Sequence, residues 1–439
     1  MHQGLRDVWT RALANALEKL RGVSIADSVV AWVWKRGGPG QWRGEQQEEP
    51  DISLALARAG LDTLGRELDE ALHEYHPLYS GLVGTATLGL FNLGGASHIR
   101  SALGELWRRH AVVNDVAAFI DSEGITLDFV APVINFHADE GVSTIELLPG
   151  ATVRRLSDAD ATELFGGRGV VAMRPGRFAP LDYAFVGNFG EPKLFGDDSL
   201  LGSEEADRMR STLELALRAL RTFKKGAVGF DYVWIKARRF SPFTPGRTGR
   251  TFGAEYVPFG RYDIATGDVT ELRSHSSYFR QTFHRSLSTA CSRLGAAEIR
   301  TDPREKLFDA VVGLEAILLT ELPDRYRGEP TYRFAMNLAV LQDAPKERAA
   351  TFRLGKQLYH LRSTVAHGGE LDPASVPYGD ELVTLGVAAE RSCELLRSTV
   401  KRFLAHAGAP PYIASGYWPD RYFSLALGPN REQDAPPCA

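Results

Sequence analysis

The segment LYHLRSTVAHGG, residues 358–369, ends a long helical pattern in the last quarter of the chain. It places the permanently charged Arg362, the hydroxyl of Ser363 and the titratable His367 within about two helical turns, and paired glycines then stop the helix. An Arg guanidinium can hold phosphate oxygens, and a His can transfer protons near neutral pH. The segment is therefore suited to metal-free cleavage of a phosphodiester.

A helical wheel at about 100° per residue separates this segment into two faces. Four apolar residues lie within roughly 60° of one another and predict a seam toward a core: Leu354, Leu358, Leu361 and Val365. Ser363 and His367 fall on the opposite side with His360 beside them, and Arg362 lies on the flank between. The polar side is either solvated or a partner surface, and a symmetric homodimer is the simplest way to enclose it.

The surrounding chain, residues 271–427, is almost wholly helical by periodicity. Five patterns cover residues 272–293, 303–321, 331–342, 346–367 and 378–406. The short links between them favour antiparallel neighbours and hence an all-α helical bundle. The tail, residues 428–439, has the Pro, Asn, Gln and Asp content of a disordered segment.

Residues 1–112 are predicted to form an N-terminal helical segment. Apolar residues recur at helical spacing over 5–20 and again over 52–76. Between them, the stretch from Arg36 through Pro50 has the Gly, Pro and polar content of a loop.

Residues 113–270 predict a β-rich α+β domain. Strand-like runs occupy residues 125–136, 143–148, 151–156, 170–173, 182–189, 228–235 and 252–262. Ser157 with Asp160 marks a short capped helix, and residues 203–225 a long amphipathic one. The whole chain is thus expected to be α+β, with mixed and β-rich regions before a C-terminal helical bundle.

Composition indicates an ordinary globular protein of 439 residues, with 44% hydrophobic and 24% charged content. No stretch reaches the roughly 18 apolar residues of a membrane span, and three widely separated cysteines lack metal-ligand spacing. We expect a cytoplasmic protein with no membrane, metal or cofactor. The net charge of −4 means that contact with nucleic acid must come from local basic patches.

Three segments together resemble an Apea-like HEPN domain. KLFDAVVGLEAILL at 306–319 is similar to the first conserved helix of that family, YRF at 332–334 to the second, and LYHLRSTVAHGG at 358–369 to the signature helix. Upstream, VRRLSD at 153–158 and LRTFKKGAVG at 220–229 resemble the β-rich region that commonly precedes such domains. We expect residues 1–270 to act in sensing, substrate positioning or assembly.

The resemblance implies a dimeric helical bundle with a metal-independent ribonuclease site across the dimer interface. It assigns Arg362 and His367 as the catalytic pair. Ser363 stands where active members of the family often have Asn. Members of this kind serve in bacterial defence and toxin systems, which implies an RNA substrate, a homodimer or higher homo-oligomer, and a phage-derived trigger.

Three further residues are candidates for a supporting role. Glu315 lies in an otherwise apolar pattern, so it either holds Arg362 through a partly buried ion pair or sits at an exposed edge. Tyr359 either packs in the core or hydrogen-bonds into the site. His360 is a second catalytic histidine or an ordinary interface residue.

A basic cluster in the β-rich region is a weaker candidate for RNA binding. It consists of Arg238, Arg239, Arg247 and Arg250. Interleaved phenylalanines supply the stacking groups that single-stranded RNA needs, whereas the alternative is a solvated loop.

Two function classes follow from these residues together with the resemblance. The first is an endoribonuclease that leaves 2′,3′-cyclic phosphate ends and serves as an antiphage abortive-infection effector. The second is a non-catalytic HEPN dimer that binds RNA or nucleotide, or scaffolds a defence assembly. His367 itself has a plain structural alternative, as a helix-terminal residue favourably placed against the macrodipole.

Overall fold

A computed structural model of the chain divides it into two compact units. The first comprises residues 1–136, 143–213 and 230–255, and the second comprises 137–142, 214–229 and 256–439. The structure describes these residues: 28–38, 41–50, 124–165, 182–192, 204–230, 232–238, 248–251, 260–320, 329–342, 344–414 and 416–427. Helices and sheets are both present, which confirms the α+β class. Among these residues, no helix combines the length and apolarity that a bilayer crossing requires.

The first unit is built on an antiparallel six-stranded sheet in the order β5-β6-β7-β3-β8-β9. Its strands are β3 (Gly124–Pro132), β5 (Thr144–Leu148), β6 (Ala151–Arg155), β7 (Tyr183–Pro192), β8 (Tyr232–Ala237) and β9 (Thr248–Thr251). In the central strand β3, Leu127, Phe129 and Ala131 are buried at every second position. This spacing places all three on the same face of the sheet.

A helix and a hairpin accompany this sheet. The predicted capped helix is present as α1 (Asp158–Phe165), where the Ser157 hydroxyl accepts from the Asp160 N–H at 3.1 Å. Strands β1 (Ser28–Gly38) and β2 (Gln41–Pro50) pair antiparallel, so the loop predicted from Arg36 to Pro50 is wrong. Apart from Trp42, the sequence of β2 has no large apolar residue and carries no alternating apolar signal. Its structure comes from backbone pairing with β1, which sequence periodicity does not register.

The second unit is mainly helical. Its helices are α3 (Asp268–Ser277), α4 (Arg285–Ile299), α5 (Pro303–Leu318), α6 (Pro330–Ala339), α7 (Pro345–Ala366), α8 (Leu385–Phe403) and α9 (Tyr417–Leu427), together with residues 214–223 of α2 (Glu204–Phe223). Short 3₁₀ turns cover Tyr278–Arg280, Leu404–His406 and Pro411–Ile413, and strand β4 (Phe136–Ala138) pairs with β10 (Tyr262–Ile264).

Helix α5 lies at the centre of this unit, in contact with α4, α6, α7 and α8. Leu307, Val311, Leu314 and Leu318 on it are completely buried. Helices α6 and α7 cross closely, since a Cβ added at Gly355 would lie 2.7 Å from the Ala335 Cα. Glycine at that position therefore sets the separation of the two helices.

A buried ion pair also holds this unit together. Arg397 of α8 and Glu298 of α4 are both almost inaccessible and bond to each other. Arg397 Nε donates to the Arg221 carbonyl at 3.3 Å, and Glu298 accepts from the Gly226 N–H at 3.2 Å. These bonds anchor the last turn of α2 and the segment that follows it to α4 and α8, and they offset part of the cost of burying two charges.

Two predicted helices are interrupted by tertiary contacts. The pattern over 272–293 is broken between α3 and α4, where the His284 N–H donates to the Ala407 carbonyl at 2.7 Å and the His284 ring accepts from the Ser286 N–H. The pattern over 378–406 becomes helical only at Leu385. Residues before it form a hairpin of β11 (Val376–Tyr378) and β12 (Glu381–Val383), which Gln357 of α7 holds through both polar atoms of its side-chain amide on Gly379.

The buried His275 is expected to make this fold sensitive to mild acid. Burial, with Lys401 nearby, lowers its pKa to about 4, and its ring bonds to the Thr222 hydroxyl at 2.8 Å. Since an unfolded His titrates near 6.5, the unfolded chain gains its proton first as pH falls. Stability therefore drops as pH falls from 6.5 toward 4, by about 2 kcal/mol between pH 7 and pH 5.

Urea unfolding of the wild type and His275→Gln at pH 7 and pH 5 measures this effect. Gln retains a hydrogen-bonding group for Thr222 but does not titrate. The pH-dependent loss should shrink by about 2 kcal/mol in the variant. An identical loss in both proteins would contradict the assignment.

Candidate functional site

Helix α7 presents its two faces largely as the wheel predicted. Leu358 and Leu361 are buried, whereas Leu354 and Val365 are only half-buried, so the predicted seam is narrower than expected. On the other side, His360 and His367 are exposed and Ser363 is half-buried. The packing of α7 against α5 and α6 accounts for this division.

Arg362 points toward α5 rather than into open solvent. Its guanidinium forms an ion pair with Glu315 at 2.8 Å, with 26% of the Arg362 side chain and 15% of the Glu315 side chain exposed. The expected partly buried ion pair is therefore present, and Glu315 is not an exposed edge residue. The Arg362 guanidinium carbon also lies 5.6 Å from the Phe308 ring centre and 5.8 Å from that of Tyr359, within cation–π range.

Tyr359 joins this pair as a hydrogen-bonding partner of the carboxylate. Burial raises the pKa of Glu315, while Arg362 and the bond from Tyr359 act in the opposite direction. Burial and the Glu315 charge raise the pKa of Tyr359, so its hydroxyl keeps its proton and donates. Its ring also packs 5.6 Å from Phe334. Both alternatives for Tyr359, core packing and bonding into the site, therefore hold at once.

His367 is the residue that closes α7. Its N–H donates to the Ser363 carbonyl at 3.1 Å, and Gly368 follows with a φ of +74°. The Gly368 N–H donates to Val365 and the Gly369 N–H to Thr364, which is the two-bond C-terminal cap called a Schellman motif. Arg304 of α5 donates to the Gly369 carbonyl at 3.0 Å and so ties the cap to the core helix.

Within one protomer, Arg362 and His367 point to different sides of α7. Five residues correspond to about 140° around the helix and about 7.5 Å along it. Arg362 is turned toward Glu315, and the His367 ring makes no hydrogen bond with any residue that the structure describes. One chain alone therefore does not assemble the pair on one face.

The remaining predicted residues are elsewhere. Arg238 lies in the first unit and forms an exposed ion pair with Asp128 of β3 at 2.7 Å. Arg239 and Arg247 lie outside the described residues, and Arg250 is in β9 with its side chain outside them. The only charge of the predicted basic cluster that the structure describes is thus already paired with a carboxylate.

Two site residues were missed in the sequence. Phe308 lies seven residues, or about two turns, before Glu315, and this spacing could have placed both on one face. Arg304 carried no such signal, because its bond to Gly369 joins positions far apart in the chain.

Among the described residues there is no group of three or more His, Cys, Asp and Glu side chains arranged to hold a metal ion.

The chain matches no protein-family model, no curated protein and no solved structure. The likeness to HEPN domains therefore rests on the quoted segments alone.

Removal of Glu315 should destabilise the second unit. Glu315→Ala would leave the largely buried Arg362 guanidinium without its carboxylate, and a partly buried pair of this kind contributes about 1–2 kcal/mol. A double-mutant cycle with Arg362→Met, followed by urea unfolding, isolates the pairwise energy. Strictly additive effects would show that the two side chains are not coupled.

Substitution at the cap should also reduce stability. At Gly368 an added Cβ meets nothing within 4 Å, yet the positive φ disfavours any L side chain. We expect Gly368→Ala to cost about 1 kcal/mol in unfolding free energy, and Gly368→Asn less, because Asn tolerates this conformation. Equal stability of all three proteins would show that the cap does not form in solution.

Proposed function

We propose that the protein is a metal-independent endoribonuclease that acts as a homodimer through α7. The observation that carries the proposal is the combination on this helix of a held, partly exposed Arg362 with the exposed His360 and with the exposed His367 at the capped end. The likeness of residues 303–369 to HEPN domains supports it. On this proposal the chain is a cytoplasmic antiphage effector whose preceding regions respond to a phage-derived trigger.

The reaction uses the ribose 2′-OH as its nucleophile. A histidine removes the 2′ proton, the 2′ oxygen bonds to phosphorus, and the bond from phosphorus to the 5′ oxygen breaks. A second group donates a proton to the departing 5′ oxygen, which leaves a 2′,3′-cyclic phosphate and a 5′-OH. Arg362 stabilises the negative charge that builds on the phosphoryl oxygens. DNA has no 2′-OH and should resist cleavage.

A dimer supplies what a single chain lacks. Arg362 and His367 diverge on α7, so on this proposal the catalytic pair is formed by an Arg of one chain and a His of a second copy related by a twofold axis. Two copies of His367, with His360 alongside, also provide both a base and an acid. Ser363, half-buried on the same face, is available to orient substrate or histidine.

A second candidate function is binding without catalysis. The Arg362–Glu315 ion pair favours it, because a guanidinium already neutralised by a carboxylate attracts phosphate less strongly. In this alternative the dimer binds RNA or nucleotide, or scaffolds a defence assembly.

An RNA cleavage assay in EDTA tests the proposal. Wild type should cut single-stranded RNA to cyclic-phosphate ends, and His367→Ala should lose at least about 100-fold in rate, as expected for loss of a general acid or base. Arg362→Ala and Arg362→Lys should both be strongly impaired, since neither restores a bidentate contact with phosphate.

The chain offers matched controls for both substitutions. His406 is an exposed histidine in a 3₁₀ turn, and Arg391 is an exposed arginine paired with Glu381 at 2.8 Å. His406→Ala and Arg391→Ala should retain activity. Full activity of His367→Ala would rule out the mechanism, and a wild type that binds RNA without cutting it would select the second candidate.

A further inference from the structure

An aromatic pair with one exposed ring lies on α6 and α7, about 15 Å along α7 from Arg362. Tyr332 of α6 is 50% exposed, and its ring meets that of Phe352 of α7 edge to face, with ring centres 5.5 Å apart. Most large apolar side chains that the structure describes in this unit are buried, whereas the Tyr332 ring is accessible to a partner. The contact with Phe352 already restricts the rotation of the Tyr332 side chain. Binding a partner would therefore cost less conformational entropy.

Cationic side chains accompany the aromatic pair. Lys356, one turn after Phe352, places its ammonium 6.0 Å from the Phe352 ring centre. Arg333 is exposed and follows Tyr332 directly. Neither cation forms an ion pair with any residue in the part of the chain that the structure describes. This contrasts with the many surface arginines of the second unit that are paired with a carboxylate.

These side chains continue into the outward face of α7. On a helical wheel, five residues fall within about 80° of one another, and we call them the α7 stripe: Phe352, Lys356, His360, Ser363 and His367. The stripe runs about 22 Å along the helix from the aromatic pair to His367. It therefore joins a stacking group and a free cation to the exposed histidine at the helix end.

We infer that the α7 stripe with Tyr332 is a binding track for single-stranded RNA. A base stacks on the open face of Tyr332, Lys356 and Arg333 contact the phosphates, and the strand continues along α7 toward His367. An exposed aromatic beside unpaired cations is the chemistry of single-strand binding, because every base has a π-face and every linkage a negative charge. A duplex keeps its bases stacked inside and would not present one to Tyr332.

This inference rests on the proposed function, because it takes RNA as the ligand. It does not require that the protein cleaves RNA. Fluorescence anisotropy with a short 2′-O-methyl oligouridine measures binding alone, because the methyl group blocks the nucleophile. Tyr332→Ala should weaken binding about 10-fold, and Tyr332→Phe should stay within about twofold of wild type, since the ring is kept. Lys356→Ala should weaken binding and lower the slope of log affinity against log salt by about 0.7.

Two control substitutions on the same unit test whether the loss of RNA binding is specific to the track. Lys346 lies on α7 about 80° around the helix from Lys356, and Tyr422 of α9 is a comparably exposed tyrosine. Lys346→Ala and Tyr422→Ala should leave binding unchanged, and thermal unfolding should confirm that Tyr332→Ala is folded.

The outcomes distinguish this inference from the proposed function. If the wild type cleaves RNA while Tyr332→Ala binds as tightly as wild type, the track is wrong and the nuclease stands. If Tyr332→Ala loses binding in a protein that never cleaves, the track stands and the nuclease is wrong. Absence of oligouridine binding by the wild type, or equal binding of duplex, would overturn the track.

Discussion

The burial of α5 is the constraint on which the second unit depends. Helices α4, α6, α7 and α8 all pack against α5, and its leucines are completely removed from water. Each buried leucine contributes about 2 kcal/mol to the free energy of unfolding relative to a leucine left in water. A helix on the surface would not gain this contribution. Because α5 is surrounded, each neighbour has one face directed inward, and the polar residues of α7 are sorted by that packing.

The packing of α7 against α5 explains why Arg362 and His367 have different surroundings. Arg362 falls on the side that meets α5, where a carboxylate is needed to offset its burial, and Glu315 provides it beside Tyr359. His367 falls on the solvent side at the point where a Schellman cap ends the helix. The ion pair holds the guanidinium in one place. In the proposed function this fixed position favours a precise contact with phosphate, but the Glu315 carboxylate competes with the phosphate for the guanidinium. Any partner that uses Arg362 must share it with Glu315 or displace Glu315.

Sequence reasoning succeeded where periodic burial is the cause of structure. The bounds of α5 and α7 were placed within three residues, and Leu358 and Leu361 were correctly assigned to the core. It failed where contacts between residues far apart in the chain determine the secondary structure. Strand β2 has a mostly polar sequence and forms through its pairing with β1, and the break after α3 is held by a bond from His284 to Ala407.

The sequence by itself determined that a helix ending in His367 would carry a buried apolar side and an exposed polar one, because a 3.6-residue period is written in the order of residues. It offered Glu315 as a partner for Arg362 with an exposed edge position as the alternative, and the structure decided for the ion pair. Only the tertiary structure decided that Arg362 turns inward while His367 stays in solvent, and that Tyr332, Phe352 and Lys356 meet on one surface. Those arrangements depend on how α6, α7 and α5 cross, and packing between helices is a property of the assembled chain rather than of any one segment.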